Sequence, residues 1–203
     1  IKLAVVDRDT PVFTYSDQGS ESWTVSRAAM AKEGNRWLPV RHVAPYVAEV
    51  FATLCAMQGI TLPAPQMISA LPPATPLVTW PSTSLSPILQ EMLKYSTNIT
   101  AETVGLGASG ARSLPDSAGA MQAWAQEALG LSASFVDHSG LGDASHITTS
   151  GMVSAMIAAE RFGLTALLKD IPLRDERGKV NKAHPLQVIA KTGTLNFTST
   201  LSG

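Results

Sequence analysis

The chain has 203 residues, 45% hydrophobic and 15% charged, which is enough apolar material for one sizeable core and excludes a disordered tail or a coiled coil. Fifteen Lys and Arg against sixteen Asp and Glu leave a net charge of -1 and no basic stripe, so nucleic acid is not an expected partner. No run approaches the ~20 consecutive apolar residues of a membrane-spanning helix, so no transmembrane segment is expected.

Residues 1 to about 40 read as short strands and turns. Ile1 to Val6 is an apolar run closed by Asp7-Arg8-Asp9, and Glu21 to Val25 partly alternates. From Val43, the positions Val43, Val47, Val50, Phe51 and Leu54 fall on one helical face, with Pro45 in the first turn and Gly59 past the end. Cys55 lies in this helix and has no partner for a disulfide, so it reads as a small buried hydrophobe. Residues 61–83 hold six of the 13 prolines and form a connection.

A second amphipathic helix carries Leu85, Ile88, Leu89, Met92 and Leu93 and delivers the chain to Ser96-Thr97-Asn98. A further helix is expected over Ile99 to Leu106, its end marked by Gly105, Gly107 and Gly110. Ser113 caps a third clear helix with Ala118, Met121, Trp124, Ala125 and Leu129 on its inner face and Gly130 as its stop. Ser134 to Val136 is a strand candidate opening into the loop Asp137-His138-Ser139-Gly140-Leu141-Gly142. Thr148 or Thr149 starts a helix that Gly163 stops, and a short helix follows over Leu164 to Lys169. Arg174 to Lys182 is a solvated turn. Val188 to Ala190 is a strand leading into Lys191-Thr192-Gly193-Thr194, and Phe197 to Leu201 is the next strand.

Two short motifs carry candidate chemistry: Ser96-x-Asn98 at a helix end, and Lys191-Thr192-Gly193 at the end of an apolar strand. Acyl transfer from a peptide ending in a carboxylate needs a cation to hold that carboxylate, hydroxyls to orient it and a proton route to the leaving amine. Lys191 can be the cation and Thr192 and Thr194 the hydroxyls. Gly193 permits close approach of a substrate backbone, and the Thr194 amide is half of an oxyanion hole. Ser96 can relay protons, with its behaviour set by Lys191, and the Asn98 amide can meet a substrate carbonyl. His138 beside Asp137 and Ser139 has the residue types of a hydrolase triad, but adjacent side chains rarely converge, and it reads as a loop filler.

With the loop Asp137 to Leu141 and the order of these motifs, residues 40–203 resemble the low-molecular-mass class C penicillin-binding proteins, the D-alanyl-D-alanine carboxypeptidase/endopeptidase family. That family usually has an Asp-Gly-Ser-Gly-Leu type of loop where this chain has Asp137-His138-Ser139-Gly140-Leu141. The resemblance implies an α+β fold, an antiparallel sheet packed by a helical subdomain over about 84–170, incomplete at both ends. Residues 1–40 are then the tail of a β-rich inserted domain and 41–203 a partial transpeptidase-like domain. It further implies a serine D,D-peptidase of the periplasm or cell exterior that acts on peptidoglycan stem peptides, is acylated by β-lactams, and needs no cofactor and no metal.

One departure from the family is severe. No serine in the sequence lies three residues before a lysine, so the S-x-x-K box with the nucleophile is absent. The resemblance places that box before the insertion, so the expected reading is a fragment, inactive alone, whose partner is the missing N-terminal segment. The rival is a non-catalytic wall-peptide or β-lactam binding module that has lost the nucleophile.

Overall fold

The computed structural model describes residues 1–30, 38–195 and 198–203, and the chain divides into two compact units, Ile1–Leu77 and Val78–Gly203. In the first unit, β1 (Lys2–Val6), β2 (Phe13–Asp17) and β3 (Glu21–Ser26) form a sheet in the order β1-β3-β2, with β3 parallel to β1 and antiparallel to β2. As the inner strand, β3 buries Glu21, Trp23 and Val25 at period two, which is the alternation legible in the sequence. The buried Glu21 carboxylate accepts the backbone N–H groups of Arg41 at 2.7 Å and His42 at 3.1 Å, directly ahead of α1 (Val43–Met57). Burial pushes this carboxyl up, but the two amides, together with the His42 charge and the Tyr15 hydroxyl, hold its pKa below the usual value.

α1 forms where the spacing predicts, ends at Gly59 in a left-handed conformation, and buries none of its residues. Its stripe of Val43, Val47, Phe51 and Leu54 remains more than half exposed, and Cys55 is half-buried rather than enclosed. Periodicity identifies the apolar face of a helix but not whether anything covers it. Within this unit Pro63, Ala64, Pro65 and their neighbours line a cavity with Ala48 and Phe51.

The second unit runs α2 (Leu85–Tyr95), α3 (Asn98–Ser109), α4 (Leu114–Leu129), β4 (Ala133–Ser134), β5 (His146–Ile147), α5 (Thr149–Arg161), a 3₁₀ turn at Leu164–Leu167, then β6 (Lys169–Asp170), β7 (Ile189–Leu195) and β8 (Thr198–Ser202). Ser113 Oγ accepts the Asp116 N–H at 3.2 Å and Thr148 Oγ1 accepts the Gly151 N–H at 3.0 Å. These are the predicted caps, each worth about 1 kcal/mol. β6, β7 and β8 form one antiparallel sheet in that order, with helices from the same unit beside it, so the fold is α+β.

Four local expectations are corrected. α3 does not stop near Leu106 but continues through Gly105 and Gly107 to Ser109, with Gly110 as its left-handed cap. A helical glycine costs only about 1 kcal/mol against alanine, which packing against α4 offsets. Trp124 is 53% exposed, because α4 turns its small residues Ser117, Ala118 and Ala125 inward. Lys169 lies in β6, paired with Ala190, rather than ending a helix. The strand after α4 is Ala133–Ser134 rather than Ser134 to Val136. Phe197 lies outside the described residues, and β8 starts at Thr198. Among the described residues, no helix is long and apolar enough to cross a membrane.

Candidate active site

α2 ends at Ser96, whose φ of 55° and ψ of 48° are left-handed. The N–H groups of Ser96 and of Thr97 both return to the Met92 carbonyl, a closure that usually puts glycine where Ser96 stands. Ser96 is the only non-glycine residue with positive φ among the described residues. A backbone held in that region by a residue with a Cβ costs of order 1–3 kcal/mol, and such outliers cluster at functional sites. The turn reverses the chain into α3, leaving Ser96 exposed and Asn98 at the first helical position, also exposed.

Lys191 reaches this turn from β7, with Nζ donating to Ser96 Oγ at 2.5 Å across 95 positions of sequence. The Thr192 carbonyl also accepts from Nζ. Burial, and secondly the nearby Lys169 ammonium, lower the Lys191 pKa from the usual lysine value. A lysine that gives up its proton more readily, hydrogen-bonded to a hydroxyl, can pass protons through that hydroxyl.

The strand presents this lysine beside an open edge. β6 pairs with only Ile189 and Ala190, whereas β8 pairs with the whole run from Lys191 to Leu195. From Lys191 onward, the edge of β7 away from β8 therefore carries no strand among the described residues, and an extended peptide could add there. By strand alternation Lys191 and Gly193 share one face of β7, and Thr192 and Thr194 the other. Gly193 stands opposite Thr200, and a Cβ on it would lie 2.6 Å from Thr200 Oγ1, so the cross-strand hydroxyl already occupies that space.

The loop after β4 is built on two carboxylates. Asp137 accepts the N–H groups of Gly142 at 2.6 Å and Gly140 at 3.1 Å and the Ser145 hydroxyl at 3.1 Å. Burial pushes the Asp137 carboxyl up, yet these hydrogen bonds, led by the one from Gly142, hold it below the usual value. Glu102 of α3 accepts the N–H groups of His138 at 3.2 Å and Ser139 at 3.0 Å. Asp137, His138 and Ser139 do not form a triad: His138 Nε2 pairs with Ser117 Oγ of α4 at 2.8 Å. Glu102 and Ser117 had no motif to reveal them. The available signal was spacing, because Asn98, Glu102, Gly105 and Ser109 recur at i, i+4, i+7 and i+11 on one face of α3.

A model of the D-Ala-D-Ala carboxypeptidase 3 (S13) family matches residues 18–203, and the chain belongs to that family. Among solved structures, the chain is similar to penicillin binding protein 4 from Haemophilus influenzae, crystallised in complex with a β-lactam, with a TM-score of 0.69 and 19% identity. The match covers 94% of this chain and 48% of that one, so the chain spans about half the length of the solved structure it matches. The shared architecture is the serine D,D-peptidase fold, as the motifs lead one to expect. No curated protein matches the sequence.

Proposed function

We propose that the protein is a serine D-alanyl-D-alanine carboxypeptidase/endopeptidase of the cell envelope, in the periplasm or outside the cell, which acts on peptidoglycan stem peptides and is acylated by β-lactams. The observation that carries this reading is the Ser96 to Lys191 contact of 2.5 Å at a left-handed turn, joining two motifs that no local interaction brings together. In this reading Lys191 draws the substrate's terminal carboxylate to the open edge of β7. Ser96 relays the proton to the leaving amine, with Lys191 as its reservoir. The Asn98 amide meets a substrate carbonyl, and Thr192, Gly193 and Thr194 line the strand along which the substrate lies, the Thr194 N–H meeting the developing oxyanion.

The acylated serine and its lysine belong to an S-x-x-K segment outside this sequence, so the chain supplies two walls of the cleft and not the nucleophile. The test is Lys191→Ala in the protein that carries that segment. Loss of the cation should slow acylation by a labelled penicillin on the order of 10²-fold, with the fold retained because the side chain is only partly buried. A folded variant acylated at the wild-type rate would refute the role of Lys191.

A further inference from the structure

His138 is left over by the proposed mechanism, yet it has the most specific surroundings of any residue in its loop. Its ring lies against α3 at Gly105, where a Cβ would stand 2.3 Å from the ring carbons, so the imidazole fills a notch that only glycine leaves open. Its Nε2 meets Ser117, a fully buried hydroxyl whose other partner is Ser109 Oγ of α3 at 2.7 Å. Its backbone N–H, together with that of Ser139, is held by Glu102 of α3. The three α3 residues of this clamp, Glu102, Gly105 and Ser109, share the helix face that begins at Asn98.

We propose that His138 is a positioning residue: by seating in the Gly105 notch and pairing with buried Ser117, it locks this face of α3 onto the loop 137–142 and so fixes the position of Asn98, the first residue of α3, two residues after Ser96. The proposal rests on the reading of Asn98 as a substrate-binding group. α3 is short, and its first residue follows the strained turn directly, so a rotation or slide of the helix moves Asn98 with it. A misplacement of about 1 Å in a positioning group can slow a reaction on the order of 10²-fold. An unseated imidazole would also orphan the Ser117 hydroxyl, giving the loosened arrangement a second reason to shift.

A double-mutant cycle on penicillin acylation, in the protein that carries the S-x-x-K segment, tests the proposal. His138→Ala should slow acylation at least about tenfold, chiefly in the acylation step rather than in initial binding. In an Asn98→Ala background the same change should add less than about twofold, because the group it positions has gone. His138→Gln, whose amide can still pair with Ser117, should recover most of the rate. If His138→Ala does not fold, Ser117→Ala, which removes only the partner hydroxyl, carries the same cycle. Full additivity of the two losses, or wild-type acylation by the His138 variant, would overturn the clamp while leaving Asn98 in its role. A wild-type rate for Asn98→Ala would instead overturn the reading of Asn98, and the clamp with it.

Discussion

At Ser96 and Lys191 the chain holds two residues in states that the fold disfavours. The other left-handed helix ends, at Gly59, Gly110, Gly130 and Gly163, use glycine, while α2 ends in a serine whose Cβ makes the same conformation costly by about 1–2 kcal/mol. Ser96→Gly should therefore raise the urea midpoint by an amount equivalent to ~1 kcal/mol, while Ser96→Ala, which keeps the Cβ and the strain, should not. Equal midpoints for the two variants would mean that the turn stores no strain. Lys191 is similar in kind. Its pKa is lowered in the fold, first by burial and then by Lys169, so the unfolded chain holds this proton more tightly than the folded one. The resulting penalty is fully present at pH values below the folded pKa, fades as pH rises from there to the ordinary lysine value, and is gone above it. Lys191→Met, uncharged and of similar length, should thus be more stable than wild type at neutral pH, with the gap closing in strongly alkaline solution. A stability difference that does not vary with pH would show that Lys191 is not desolvated. Variants of both residues are expected to trade activity for stability, as at a site selected for chemistry rather than for packing.

At the scale of the helices, the glycines of α3 separate packing from propensity. Gly107 has open space where a Cβ would go, so Gly107→Ala should stabilise the chain by about 0.5–1 kcal/mol. Gly105→Ala, two residues earlier in the same helix, places its methyl group 2.3 Å from the His138 ring and should destabilise. Adding His138→Ala should return Gly105→Ala to a stabilising substitution. Thermal unfolding of the three variants decides this, and a stable Gly105→Ala with His138 in place would show that the ring does not occupy the notch. The contrast also shows what the sequence can express. Helix starts at Ser113 and Thr148, helix ends near Gly59 and Gly130, and the strand carrying Glu21 to Val25 are legible because backbone rules act over a few residues, while the strand expected over Val188 to Ala190 runs on through the Lys191 motif to Leu195. Glycine marks a helix stop in local rules, so the sequence places the end of α3 too early, whereas the notch for His138 gives Gly105 a packing reason to lie within the helix. Trp124 and Cys55 depart from the buried positions expected of them because burial depends on residues distant in sequence. The Ser96 to Lys191 contact was accessible only through the motifs, since no periodicity links positions 95 apart.

At the scale of the whole molecule, the proposed function assigns Ser96 to Asn98 and Lys191 to Thr194 as two walls of a cleft and leaves the nucleophile to an S-x-x-K segment. Ser96 is the serine nearest in kind to one, since its hydroxyl meets a lysine with a lowered pKa. Nucleophilic catalysis needs more than that pair: the acyl-accepting oxygen must be activated by its own base while a separate group delivers a proton to the leaving nitrogen. If Ser96 were the nucleophile, Lys191 would have to act as its base, steady the carboxylate and protonate the departing amine at once. The family's S-x-x-K box divides this work, placing a lysine one helical turn after the attacking serine, and no serine here lies three residues before a lysine. The 203-residue chain incubated with a labelled penicillin should accordingly show no mass increase on intact-mass analysis, at concentrations and times that saturate a complete penicillin-binding protein. Supplying an S-x-x-K segment in the same polypeptide should produce one adduct per molecule, and mapping should place it on the supplied serine. Stoichiometric acylation of the chain alone, mapped to Ser96, would assign the nucleophile to that serine. Labelling of the longer protein that survives Lys191→Ala unchanged would leave the supplied segment sufficient by itself and remove the two walls from the mechanism.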